Sequence, residues 1–205
     1  PEVLITKGEY DVIDLKYIHN KEGFVYYLAS PNNATQKYLY KTKLNGKGKN
    51  ELLSPASLEG SHDYSFSSNG NYAAHSFSNH FTPYSKEFIS IANHKALIEE
   101  ESILKNIKKL EEKPTTEFFT ITTEDNVELD GWMVKPTNFD PTKKYPVVFY
   151  VYSEPARATV NDSYNTSRNS LYIGDMAEDG YIYISLDNRG TPSPKGREWR
   201  KSIYR

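Results

Sequence analysis

Few side chains in this sequence have both the type and the setting for chemistry, and the clearest is a tyrosine. The segment YPVVFYVYSEPARATV, Tyr145 to Val160, runs apolar and aromatic and then breaks at Ser153-Glu154-Pro155. Tyr152 stands at the break. In open α/β sheets, ligands bind beyond the carboxyl ends of the strands. A phenol at such an end can donate a hydrogen bond to the negative oxygen of a tetrahedral intermediate in acyl transfer. Spacing alone leaves a plainer reading open, in which Tyr152 packs beneath the turn with its hydroxyl in water.

Other candidates are weaker. The histidines, His19, His62, His75, His80 and His94, are scattered over turns and strands of the first half. His75 and His80 have no carboxylate at a spacing that points to a metal, so the expectation is structural or surface histidines and no metal. There is no cysteine, which removes disulfides and thiolate chemistry. A zinc site would have to use histidines and carboxylates alone. No Gly-x-Ser-x-Gly, phosphate-binding loop or dinucleotide fingerprint occurs, and no cofactor is expected. Glu99 to Glu101 suit the first turn of a solvated helix.

Composition narrows the class. The 205 residues are 37% hydrophobic and 25% charged, as in a globular protein. The 25 basic and 27 acidic side chains leave a net charge of −2, with no basic stripe for nucleic acid. No apolar run approaches the roughly 18 residues of a membrane span. A start at Pro1 without Met, and an end at Arg205 after a basic aromatic segment, read as cuts from something longer.

Two rhythms divide the chain. EYDVIDLKYI, GFVYYLAS, QKYLYKTKL and ELLS are short strands separated by turn residues such as Asn45-Gly46. HDYSFSS, NYAAHSFS, KEFISIA and KALIEE repeat the plan, with a turn at Asn69-Gly70. A set of four strands every 45 residues or so suits two β-propeller blades, with an antiparallel sandwich as the alternative. In EEESILKNIKKLEEK, residues 99–113, Ile103, Leu104, Ile107 and Leu110 share one helical face, and Pro114 stops the helix. FFTITTED and VELDGWMVKP then pair across Asp125-Asn126. YPVVFYVY reads as a strand buried on both faces, Arg168–Glu178 as a helix, and YIYISLD as a second buried strand. Strand, helix and strand make a βαβ unit with a parallel sheet.

Three stretches carry a resemblance: ITKGEYDVIDL, DGWMVKPTNFDPTKKYPVVFYVYSEP and GYIYISLDNRGTPSPKGREWRKSIYR. Together they resemble the dipeptidyl peptidase IV family, within the prolyl oligopeptidase family of serine peptidases. The Lys-Tyr-Pro-Val-Val…Val-Tyr-x-x-Pro run and Asp187-Asn188-Arg189-Gly190 are the most specific pieces. The resemblance implies a mixed β and α/β fold: residues 1–98 as the last two blades of a β-propeller, 99–114 as a linking helix, and 115–205 as the N-terminal part of an α/β-hydrolase domain. It implies that Tyr152 is an oxyanion donor, and that the Ser-Asp-His triad and the glutamates for a substrate's amino terminus lie outside the chain. Ser153, where many relatives have glycine, bears on the geometry of that turn. The implied parent is a serine exopeptidase releasing X-Pro or X-Ala dipeptides through an acyl-enzyme, with the 205 residues alone inactive. A non-catalytic binding member of the same architecture and a sister tripeptidyl or acylaminoacyl peptidase are the alternatives. Peptide substrates, a homodimeric and exported bacterial parent, and self-association of the isolated chain through open sheet edges complete the expectations.

Overall fold

The computed structural model describes residues 2–107, 116–152 and 154–204. Two compact units emerge. The first comprises Pro1–Glu111, Asp162–Tyr164 and Pro194–Arg197; the second comprises Glu112–Asn161, Asn165–Ser193 and Glu198–Arg205.

Unit one holds two four-stranded antiparallel meanders. The first runs β1 (Val12–His19), β2 (Phe24–Ala29), β3 (Tyr38–Lys43) and β4 (Glu51–Leu52). The second runs β5 (Ser61–Phe66), β6 (Tyr72–Ser78), β7 (Ser85–Ser90) and β8 (Lys95–Ala96). Each has the strand order and up-down path of a propeller blade. Gly70 shows why the turns need glycine: its φ is +74°, and a Cβ there would come within 2.5 Å of the Tyr17 ring. Alternation along the strands turns Tyr26, Leu28 and Leu39 of the first sheet toward Tyr64, Ala73 and Ile89 of the second, forming one core cluster. Tyr17 stacks on Phe66 with ring centroids 5.2 Å apart, which seals its rim.

After β8 the expected helix is interrupted at Ser102 within its described part. KALIEE forms a strand over Lys95–Ala96, with the Leu97 N–H still reaching the Phe88 carbonyl at 2.8 Å, and Glu99–Glu101 form a single 3₁₀ turn. Helix α1 spans Ile103–Ile107, and Leu110 and Pro114 lie outside the described residues. Ile103, with Leu104 and Ile107 beside it, packs on Leu58 and Phe77, so the predicted apolar face is used as far as the helix is described.

Unit two is a mixed sheet in the order β11–β12–β10–β9. Strands β9 (Thr116–Thr122) and β10 (Glu128–Val134) form the expected hairpin, with Asn126 at φ 60° in its turn. Strand β12 (Ile182–Leu186) pairs antiparallel with β10 and parallel with β11 (Val147–Tyr150). Trp132, Val134, Val160, Ala177 and Tyr183 make the core. Among the described residues the parallel content of this unit is the β11–β12 pair, set in a mixed sheet.

Two expectations fail in this unit. Residues 168–178 are turns, not a helix, and Leu171 is 92% exposed. The reason is local competition. Asn169 Oδ1 accepts the Leu171 N–H, and Asp175 Oδ1 accepts those of Ala177 and Glu178. Such side-chain turns compete with helical bonding, and Gly174 adds backbone entropy. Of the apolar residues in this stretch, Met176 and Ala177 reach the core. The second failure is β11, which is not buried on both faces. It ends the sheet, and Phe149 is 62% exposed. An apolar sequence licenses burial, but an edge position with no neighbouring strand among the described residues does not supply it. A short helix, α2 (Arg197–Lys201), closes the described chain and buries Trp199.

Candidate functional site

Tyr152 lies two residues past the end of β11, in the loop at the carboxyl end of the parallel β11–β12 pair. It is 40% exposed, so its ring is neither sealed in the core nor free of packing. Ser153, the next residue, lies outside the described residues.

What holds this loop is a buried carboxylate at the carboxyl end of the neighbouring strand. Asp187 follows β12 and is 3% exposed. Its Oδ1 accepts the Thr159 N–H at 2.8 Å and the Thr159 hydroxyl at 2.8 Å. Its Oδ2 accepts the Val160 N–H at 3.0 Å. Thr159 also meets Ser185 Oγ at 2.8 Å, and its carbonyl accepts the Trp132 indole N–H at 3.1 Å. The far end of the Tyr152 loop is thus tied to β10 and β12, and its near end continues from β11. Charge-assisted bonds to main-chain N–H groups are among the stronger ones, and burial makes them costly to lose.

The rest of the Asp187-Asn188-Arg189-Gly190 turn is fixed from outside. Arg189 forms a fork on Asp125 of the β9–β10 turn, with contacts of 2.7 and 2.9 Å. That guanidinium holds the Asp125 carboxyl well below the usual carboxylate range. Gly190 has φ +86°, and a Cβ on it would collide with Ile203, so glycine is required there. The sequence pointed to Tyr152 and to the Asp-Asn-Arg-Gly turn separately. It did not connect Asp187, Thr159 and Trp132, whose contact depends on strand order.

A second polar cluster, inside the second blade, was missed altogether. Register places Tyr64 opposite His75 and His75 opposite Glu87, so consecutive strands put the three on one face. His62 lies two residues before Tyr64 on the same face, and His94 joins from the β7–β8 turn. His62 Nε2 meets the Leu58 carbonyl at 2.8 Å, so this nitrogen carries the hydrogen. Burial, reinforced by the charge of His75, pushes His62 down to about 3 and keeps it neutral. Its Nδ1 must then accept from His75 Nε2, 2.9 Å away. The other nitrogen of His75, Nδ1, is 2.8 Å from Glu87 Oε1. Burial alone would raise the Glu87 carboxyl, but bonds from His75 and the Ile103 N–H overcome it and hold the group below its usual range. Glu87 is therefore held as a carboxylate against His75, and its Oε2 also fastens the first residue of α1 at 3.0 Å.

His94 completes the cluster at φ 52°, an uncommon conformation for a non-glycine residue. Its Nε2 meets Tyr64 Oη at 2.8 Å, and that phenol meets Ser54 Oγ at 2.9 Å. Burial lowers His94 to about 4 and pushes the Tyr64 phenol up, so both are neutral at pH 7. His94 Nδ1 is sealed from solvent and has no hydrogen-bond partner among the described residues beyond the residue's own main chain. Linear spacing hid this group because its members come from three strands and a turn. His80 stands apart on Asp162 at 2.9 Å, and Glu99 to Glu101 are exposed, with Glu99 paired to Lys105.

Comparison with known proteins agrees with this architecture. Residues 2–84 match the family described as dipeptidyl peptidase IV (DPP IV) N-terminal region. The chain is similar to the probable dipeptidyl-aminopeptidase B of Chaetomium globosum, 32% identical over 92% of this chain and 20% of that protein. The protein of the same description from Neurospora crassa is 30% identical over 92% of this chain and 20% of its own length. The chain therefore spans about one fifth of the length of these curated relatives. The crystal structure of Porphyromonas gingivalis dipeptidyl peptidase 4 superposes with a TM-score of 0.76 at 30% identity, covering 98% of this chain and 27% of that one. The chain is thus similar along nearly its whole length to part of the dipeptidyl peptidase IV proteins, and its two meanders are propeller blades.

Proposed function

We propose that Tyr152 is an oxyanion donor of a serine-type dipeptidyl peptidase, and that the chain supplies this residue and its scaffold to the whole protein. The observation that carries the reading is the placement of Tyr152 at the carboxyl end of β11, on a loop whose far end Asp187 fixes through the main chain of Thr159 and Val160. In the mechanism, a serine outside the chain attacks the carbonyl carbon of the second substrate residue. A histidine takes the serine proton and returns it to the leaving amine, giving an acyl-enzyme that water then hydrolyses. As the carbonyl oxygen becomes negative, Tyr152 donates its hydroxyl hydrogen bond, and a main-chain N–H supplies the second. The substrates are peptides with proline or alanine in second position, released as dipeptides. On this reading residues 115–205 open the α/β-hydrolase domain. The whole protein belongs to the prolyl oligopeptidase family and works as an exported bacterial homodimer.

Tyr152→Phe in the whole protein tests this. Losing one oxyanion donor lowers kcat by about 10²–10³ with little change in KM. A glycyl-prolyl chromogenic amide reads both parameters. Near-wild-type kcat would make Tyr152 a packing residue. Absence of hydrolysis by a well-folded whole protein would favour a non-catalytic binding member of the same architecture. The 205-residue chain alone is expected to show no hydrolysis.

A further inference from the structure

We propose that His75, Glu87 and His94 form a site for one divalent cation of the zinc class, set inside the second blade. A ring nitrogen or carboxylate oxygen from each lies within 4.8 Å of the others. A cation with bonds of about 2 Å would draw such atoms to separations of roughly 3–3.5 Å, a modest contraction for side chains on adjacent strands.

Stronger support comes from the second polar atom of each residue. Ligating histidines usually donate their second N–H to a fixed acceptor, and ligating carboxylates are themselves hydrogen-bonded. Here His75 Nε2 donates to His62 Nδ1 at 2.9 Å, and His62 is locked in turn by the Leu58 carbonyl at 2.8 Å. Glu87 Oε2 accepts the Ile103 N–H at 3.0 Å. His94 Nε2 meets Tyr64 Oη at 2.8 Å, and Tyr64 reaches Ser54 at 2.9 Å. When Tyr64 donates to Ser54 and accepts from His94, the buried Nδ1 of His94 carries a bare lone pair. Each of the three candidates is thus oriented by a second partner and keeps an atom for a shared ligand. A buried nitrogen with no partner beyond its own main chain is poorly satisfied, and a cation would relieve that cost.

The donor set decides the class of ion. Two imidazoles and one carboxylate suit zinc, cobalt or nickel, whereas calcium and magnesium take oxygen ligands. Ligation through His75 Nδ1 requires that nitrogen free of hydrogen, so a bound cation takes the place of the His75–Glu87 hydrogen bond. The ion would clamp β6, β7 and the turn before β8, and through Glu87 it would hold the start of α1.

The test uses the whole protein, stripped with chelator and then titrated with Zn²⁺, with Co²⁺ as the spectroscopic probe. The expected result is one Zn²⁺ per chain retained through dialysis, a higher Tm with Zn²⁺, and visible ligand-field absorption with Co²⁺. Glu87→Gln and His94→Gln should each weaken Zn²⁺ binding more than 100-fold. Tyr64→Phe, which removes only an orienting partner, should weaken it about tenfold. His19→Gln should leave it unchanged. Failure of folded wild-type protein to retain zinc, with no Tm response, overturns the proposal even if the variants do not fold. Stoichiometric zinc that survives Glu87→Gln and His94→Gln also overturns it, since the ion would then lie elsewhere. Neither outcome bears on Tyr152, so this site and the peptidase reading fail separately.

Discussion

Each unit buries a carboxylate within a polar cluster, and the two are built on opposite terms. Asp187 in the mixed sheet is surrounded by donors: the main chain of Thr159 and Val160 and the hydroxyl of Thr159. Nothing in that set needs to change its proton to satisfy its neighbours. Glu87 in the second blade also takes a main-chain N–H, but its other oxygen faces a histidine whose far nitrogen is already committed. That cluster depends on one buried proton, and it leaves a His94 nitrogen uncommitted. The comparison teaches that burial and hydrogen bonding alone do not mark a binding site. An anion saturated by main-chain donors holds a loop, whereas a pair sharing a replaceable proton can exchange it for a ligand.

The strongest challenge to this contrast is Asp187→Ala. It leaves two buried main-chain N–H groups unpaired, at a cost of about 1–3 kcal/mol each. For a chain of this size each kcal/mol lowers Tm by roughly 2–4 °C, so thermal unfolding should show a large drop. In the whole protein kcat should fall as well, because the Tyr152 loop loses its tether. An unchanged Tm would remove the anchoring role of Asp187.

A second prediction uses the outer edge of the mixed sheet. Val147, Phe149 and Val151 are exposed on and just past β11, which leaves an apolar edge strand of the kind that pairs with other chains. The isolated 205 residues should self-associate in light scattering. Phe149→Lys should shift them toward monomer while changing stability by no more than about 0.5 kcal/mol. A wild-type monomer at high concentration would show that the edge is harmless.

The smallest expected effect concerns Asp63 on the blade's exposed rim. Burial raises its carboxyl, but the Lys16 ammonium at 2.6 Å and the Tyr64 N–H lower it further, for a net depression. A depressed carboxyl contributes stability above its unfolded value near 4, and that contribution is lost as pH falls below it. Since Asp63 is half exposed, solvent and salt screen most of the effect. Wild type should lose slightly more stability than Asp63→Asn between about pH 5 and pH 3, and the gap should shrink at high salt. A gap that is large or independent of salt would mean that the rim behaves like the buried clusters.

Much of the fold was legible in the sequence for a local reason. Alternating apolar residues and turns at Asn45-Gly46 and Asn69-Gly70 specify hairpins within a few residues of one another, and both meanders follow them. The β9–β10 hairpin and the position of Tyr152 beyond an apolar strand were legible for the same reason. Misreadings occurred where side-chain turns or strand order override composition. Leu171 and Ile173 are apolar residues in a stretch of helical length, yet Asn169 and Asp175 turn the backbone, and the core takes Met176 and Ala177 instead. YPVVFYVY has the composition of a central strand, yet strand order places it at an edge. Composition and periodicity determined by themselves which residues seek burial and where the chain turns. Only the tertiary structure decided which buried polar atoms meet, because strand register brought His75, Glu87 and His94 together, and strand order brought Asp187 to Thr159.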